Sequence, residues 1–257
     1  MGNLILFKDL IEKDDFKKLD KLDACLGTDT IGNNLNINIK TLGNTFLAGA
    51  TGSGVDSTLY NIIISLILKN EPNELKLILL DPLKCDLELF RKLPHAINLC
   101  SKEFDFYGNL IEINEMIDIR IKTLDELGYK DIYEYNLKEN NKMEVIAIAI
   151  DWANDFFEAH GKAIEKIELL IKMFEKTKRV GFYFIVATHR LHLINKKLID
   201  KFDSLVAFLD YPDNKDSFLI DNQDKLVRTH FIIKNDSINV EGIIVLPIEF
   251  EELFKII

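Results

Sequence analysis

The chain has 257 residues, 47% of them hydrophobic, which is enough to bury a substantial core and predicts one α/β domain. Its formal net charge of −10 argues against the broad electropositive footprint that duplex nucleic acid attracts, so any DNA contact has to come from a local basic stripe. No apolar run approaches the roughly 20 residues of a membrane span, and Met1-Gly2-Asn3-Leu4 has neither a basic signal region nor, with Leu6 in the sixth place, a myristoylation pattern.

In chain order, apolar Phe7, Leu10, Ile11 and Phe16 predict a helix over 7–19, so that residues 1–34 read as a helical lead-in. Residues 35–228 are expected to form the core of the domain. The alternation at 35–39 predicts a strand, Thr45–Ala48 a second one, and Leu59, Ile62, Ile63, Leu66 and Ile67 a helix over 57–69. Leu75–Leu80 is a continuous apolar run ending at Asp81-Pro82, as in a parallel strand buried on both faces. Phe106–Leu127 reads as a long amphipathic helix stopped by Gly128, and 144–150 as another buried strand ending in Asp151. A helix over 162–178 follows, then a strand over 182–187 before Thr188-His189-Arg190, and one over 204–209 ending at Asp210. Residues 229–257 predict an antiparallel hairpin of 229–234 and 240–245, turning at Asn235-Asp236-Ser237, and a short helix over 248–254. Strands alternating with helices imply a mostly parallel sheet flanked by helices, with ligands at the carboxyl ends of the strands.

Between the second strand and its helix lies Gly49-Ala50-Thr51-Gly52-Ser53-Gly54-Val55-Asp56-Ser57. A P-loop needs glycines so that backbone N–H groups turn inward around phosphates, a lysine for the terminal phosphates and a hydroxyl for Mg²⁺. The glycines are present, but Val55 stands in the lysine's place and Asp56 in the hydroxyl's. Asp56 repels a triphosphate and is expected to cap the following helix instead. Ser57, one place late, is turned about 100° away around the helix.

Asp81 and Asp151 end buried strands on the ligand edge, where they either hold a metal or cap neighbouring loops; the capping reading is adopted, and no metal site is predicted. Lys84 is a substitute cation or a solvated one. His189 is a sensor-like position, since histidine titrates near neutrality. Trp152, the only tryptophan, is read as filling volume beside Asp151. His160, His192 and His230 read as surface residues. Cys25, Cys85 and Cys100 lack metal spacing and fit small buried residues of a reducing compartment. Lys172, Lys176, Lys178 and Arg179 are the densest basic cluster, but Glu165, Glu168 and Glu175 are interleaved, so the cluster reads as the polar face of a helix.

Taken together, these segments resemble the motor domain of the FtsK/SpoIIIE family of DNA translocases, hexameric RecA-like ATPases. Leu26-Gly27-Thr28-Asp29 with Gly32 looks like the family's LGKDxxG stretch, and Ala48 to Gly54 like its AGxTGSG loop. Asp81-Pro82, Asp86-Leu87 and Leu93-Pro94-His95 are similar to its DPK…EL…IPH run. The helix with Arg120 that leads to Leu127-Gly128 and Tyr135-Asn136 looks like its helix ending in a YN pair. Ala187-Thr188-His189-Arg190 resembles ATQRP, Asp216-Ser217 the DSR element, and Val240-Glu241-Gly242 the closing VxG. The departures are as consistent as the matches: Val55-Asp56 for Lys-Ser, Asp151-Trp152 for the Walker B Asp-Glu, His189 for the glutamine and Phe218 for the arginine.

The resemblance implies a single RecA-like P-loop motor domain over 1–257 whose nucleotide site, Gly49 to Ser57 with Asp151 as the Walker B-like residue and His189 as the sensor-like one, has lost its working groups. It implies a pseudo-ATPase or a regulatory or assembly module of a DNA-translocating or related machine, with ATP and Mg²⁺ as the only candidate cofactors. The expected partners are other proteins, other motor subunits or domains, copies of itself, or DNA. The expected location is cytoplasmic, at the inner face of a membrane-anchored complex, with no membrane insertion. The alternatives are a degenerate domain of a type VII secretion coupling ATPase that docks substrates, and an unorthodox active ATPase using Lys84 and Ser57.

Overall fold

The computed structural model describes residues 5–84, 87–100, 105–158, 161–213, 218–248, 252, 253 and 256. Cys85, Asp86, His160, Asp216, Ser217, the first four residues and much of the predicted 248–254 helix lie outside the described residues; within that helix Glu252 and Leu253 are helical. Residues Met1–Asn70, Ala187–Leu193 and Asp203–Ile257 cluster as one unit, and Glu71–Val186 with Ile194–Phe202 as a second.

Two short helices, α1 (Phe7–Ile11) and α2 (Asp14–Lys17), replace the single predicted one. Lys13 between them is extended, at ψ 148°. Nine residues of unbroken helix would separate Phe7 from Phe16 by roughly 13 Å. The break lets their rings meet edge-on at 5.9 Å. Within the expected helical lead-in, Asp23–Thr28 is a strand, β1, buried along nearly its whole length. Ala24-Cys25-Leu26 is too short an apolar run to show a period, which is why the sequence pattern misses it.

The chain continues through β2 (Asn34–Asn38), α3 (Ile39–Leu42), β3 (Thr45–Ala48) and α4 (Val55–Lys69). The second unit supplies β4 (Leu75–Leu80), α5 (Phe106–Leu127), α6 (Ile132–Lys138), β5 (Val145–Ile150), α7 (Ala153–Glu158), α8 (Ala163–Phe174), most of β6 (Phe182–Thr188) and α9 (Lys196–Ile199). The chain then returns to the first unit with β7 (Ser204–Phe208), β8 (His230–Lys234) and β9 (Asn239–Ile243). Among the described residues no helix is long and apolar enough to cross a membrane.

In the first unit β3 runs parallel to β7, from Thr45 opposite Ser204 to Ala48 opposite Ala207. The expected hairpin of β8 and β9 forms, antiparallel, and extends the sheet from β7 to β1 and β2. Gly27 and Gly242 allow this packing: a Cβ on Gly27 would lie 2.3 Å from the Ile243 carbonyl oxygen, and one on Gly242 2.4 Å from the Phe231 ring. α4 is pinned by polar contacts as well as by its buried isoleucines. Asn61 donates to the Val245 carbonyl at 2.9 Å, while Ser65 accepts from the Cys25 amide at 3.0 Å. Burial pushes the Cys25 thiol up to about 12. Cys100, expected to be buried, is exposed.

In the second unit β4, β5 and β6 are parallel and nearly wholly buried, as helices on both faces require. α5 begins where Asp105 caps the Gly108 amide at 2.9 Å and ends at Gly128, whose φ of 75° suits glycine. Arg120 donates to the carbonyls of Glu144 at 2.7 Å and Val180 at 3.1 Å, and burial lowers its pKa. Asn136, of the YN pair, holds both backbone groups of Met143, which gives that motif a structural meaning. The predicted helix over 162–178 ends at Phe174, so of the basic cluster Lys172 lies on α8 while Lys176, Lys178 and Arg179 follow it; Lys176 pairs with Asp118 and Arg179 with Asp125. Lys166 is buried, its ammonium donating to the carbonyls of Phe156 at 2.9 Å and Phe157 at 3.1 Å, and burial lowers its pKa.

Candidate functional site

The loop from Gly49 to Ser57 lies in the first unit, between β3 and α4, and its backbone has the form of a phosphate cradle. Gly52 and Gly54 sit at φ 74° and 102°, where only glycine is unstrained. A Cβ on Gly49 would lie 2.5 Å from Phe208 Cβ and 2.7 Å from Ser53 Oγ, so side chains are excluded there by contact as well. The start of the loop is anchored by Gly49 N–H to the Thr188 carbonyl at 3.4 Å and Ala50 N–H to the Leu209 carbonyl at 2.8 Å. α4 opens on Gly54 with no side-chain cap, leaving first-turn amides and the positive end of the helix dipole facing the loop. Ser53 Oγ is buried and lacks a hydrogen-bond partner among the described residues.

The side chains at the cradle are not those of an active P-loop. Val55 is wholly buried. Asp56 is the second residue of α4, past the capping position, and so does not cap the helix as expected. Its Oδ1 instead meets Nε2 of His189 at 2.6 Å. The imidazole is 1% exposed and the carboxylate 42%, so the histidine is the buried member and the aspartate the one that reaches solvent. Sequence reasoning singles out both residues separately, as a lost hydroxyl and a lost glutamine. The fold joins them, because His189 follows Thr188, whose carbonyl holds Gly49.

The strand-end carboxylates belong to the second unit and serve their own loops. Asp81 accepts from the Leu83 amide at 3.0 Å and the Leu87 amide at 3.1 Å, the capping reading of its sequence position. Asp151 is fully buried and accepts from the amide of Trp152 at 2.8 Å. Trp152 is half-buried with left-handed backbone, φ 48°. Lys84, also left-handed at φ 51°, is exposed. Among the described residues no group of three or more His, Cys, Asp or Glu side chains could hold a metal. His192 is exposed, and His230 pairs across β8 and β9 with Glu241 at 2.6 Å.

One supporting residue is invisible to sequence reasoning. Gln223, in a polar stretch with no period, is fully buried. Its Nε2 donates to the carbonyls of Phe208 at 2.8 Å and Ala48 at 3.3 Å, and its Oε1 accepts from the Leu219 amide at 2.8 Å. It therefore ties the residue preceding the glycine loop to the end of β7. A lone glutamine among Asn222 and Asp224 carries no signal of burial, so nothing short of the fold reveals it.

Comparison with known proteins places this geometry. The FtsK/SpoIIIE family matches residues 7–238. A DNA translocase FtsK of Chlamydia pneumoniae is 27% identical over 201 residues, covering 72% of this chain and 24% of that protein. The fold is similar to EssC (ATPases 2 and 3) from Geobacillus thermodenitrificans, with a TM-score of 0.75 at 18% identity over 91% of this chain and 48% of that one. It is likewise similar to the cytoplasmic domain of the Thermomonospora curvata type VII secretion ATPase EccC, with a TM-score of 0.76 at 16% identity over 99% of this chain and 34% of that one. The chain spans about a quarter of the length of the curated translocases it matches.

Proposed function

We propose that this chain, which belongs to the FtsK/SpoIIIE family, is a pseudo-ATPase module whose P-loop is occupied by its own side chains, and that it acts through other motor subunits or protein partners. The observation that carries this reading is the 2.6 Å pair of Asp56 and His189. The glycine backbone fits a phosphate, but the side chains do not fit MgATP. A carboxylate faces the place of the metal and the terminal phosphates, no ammonium offsets it, and it already lies near the positive end of α4, where an anion would be stabilised. Transfer of a phosphoryl group needs cations exactly where the loop supplies an anion, so no catalytic step is assigned.

The test is a calorimetric titration of MgATP into the natural protein and into a Val55→Lys, Asp56→Ser, His189→Gln variant. No saturable heat from the natural protein at millimolar nucleotide, with micromolar binding in the variant, is the expected outcome. Micromolar binding by the natural protein would sink the proposal, and that arm decides the matter even if a lysine at buried position 55 perturbs folding. The named sequence relatives are DNA translocases, which favours a motor acting on DNA as the host assembly over the secretion reading. Co-purification with an active translocase, rather than with a secretion ATPase, is the corresponding check. Family membership also supports the cytoplasmic, membrane-adjacent placement and a single motor domain.

A further inference from the structure

A cavity opens in the second unit at the carboxyl end of β4. It has a volume of about 220 Å³ and is lined by Leu79, Leu80, Arg91, Ile97, Leu99 and Asn109 among others. Its origin is a parallel pairing that stops early. Residues 95–97 run beside β4, with the Leu77 amide donating to the His95 carbonyl and the Ile97 amide to the Leu77 carbonyl, each at 2.8 Å. Two residues further along β4, the Leu79 carbonyl is met by the Arg91 guanidinium, Nη2 at 2.7 Å. Beyond that point the walls are aliphatic.

The polar groups of the cavity are unusual. Asn109 is 4% exposed, and its Oδ1 is buried with no hydrogen-bond partner among the described residues. A buried carboxamide oxygen left without a donor costs free energy that folding normally avoids. Arg91 also lines the cavity, with Nε 3.2 Å from the Glu88 carboxylate, which balances its charge. The cavity thus presents one acceptor and several donors in a small, largely aliphatic space.

We propose that this cavity is a binding site for a neutral primary carboxamide carried on an apolar or aromatic body. The ligand's N–H₂ donates to Asn109 Oδ1, its carbonyl accepts from Asn109 Nδ2 and Arg91, and its apolar body rests against Ile97 and Leu99. An ionised carboxylate of the same shape has no hydrogen for Oδ1 and places a negative charge against that lone pair. Selectivity for amide over acid is therefore the signature that separates this site from a simple cationic patch.

The test uses ¹⁵N-labelled full-length protein titrated with nicotinamide and with nicotinate, and in a parallel arm with N-acetyl-Ala-Gln-Ala-amide, which distinguishes a free small molecule from a peptide side chain as the source. Saturable shifts of the Asn109 side-chain resonance and of the Leu79, Leu80 and Asn98 amides with one of the carboxamides, at least tenfold weaker with nicotinate, are expected. Asn109→Leu should abolish them while leaving the melting temperature unchanged or raised, since it removes an unpaired polar group. Equal response to nicotinate, or no saturable shift in the natural protein, would overturn the proposal and leave ordered water as the occupant. A lower melting temperature for Asn109→Leu would overturn it too, by showing that the carboxamide is already paired.

Discussion

The two units treat their polar groups at the strand ends in opposite ways. In the first, two side chains that depart from the family's pattern, Asp56 and His189, have found each other across 133 residues of sequence. In the second, Asp81 and Asp151 match the family's pattern, yet both oxygens of Asp81 accept from amides two and six residues away and Oδ1 of Asp151 accepts from the amide of the next residue. The substituted positions are thus joined by a long-range contact, whereas the matching carboxylates make local bonds to their own loops. Motif loss and motif retention are therefore poor guides to function until the partner of each side chain is known.

Four measurements break or sharpen that contrast. The largest effect is expected for Asp81→Ala, which removes a carboxylate that is only 3% exposed and strands the two loop amides that donate to it. A loss of about 3 kcal/mol in urea unfolding is predicted, and a loss below about 0.5 kcal/mol would refute the structural role of Asp81. Gln223→Ala, by the same logic at the root of the glycine loop, should cost about 2 kcal/mol, since the Ala48 and Phe208 carbonyls lose their donor.

A double-mutant cycle of Asp56→Ala and His189→Ala should return a coupling of about 1 kcal/mol, held down by the solvent that reaches Asp56. Zero coupling would return the two residues to the status of unrelated losses. The smallest signal is a pH slope. Burial lowers the Lys166 pKa from 10.5 in the folded state, so the unfolded chain binds more protons in the window just below 10.5. Stability of the natural protein relative to Lys166→Met should accordingly rise as pH approaches 10.5 through that window, and a falling or flat difference would mean that the two carbonyls outweigh desolvation.

Most of the architecture is legible in the sequence where apolar runs are long. Leu75–Leu80 and Phe106–Leu127 coincide with observed elements, because a six-residue buried run and a capped amphipathic helix each leave an unambiguous pattern. β1 is missed because three apolar residues fix no period, and the 7–19 helix is overextended because a ring contact between Phe7 and Phe16 outweighs helical spacing. At the glycine loop the residue identities are legible and the bonds are not. Asp56 reads locally as a cap, and only the strand order that carries His189 alongside Gly49 makes an imidazole the better partner. Gln223 lies beyond any pattern, since its burial depends on the carbonyls of Ala48 and Phe208, 175 and 15 residues away.

The pair at the glycine loop also acts as a ratchet on descent. Restoring a hydroxyl at 56 alone would leave the imidazole of His189 facing a weaker partner from a site that is 1% exposed, and restoring a glutamine at 189 alone would leave the carboxylate without its imidazole. Each single step gives up the bond between the two side chains while position 55 stays a valine. The two positions are therefore expected to change together rather than one at a time.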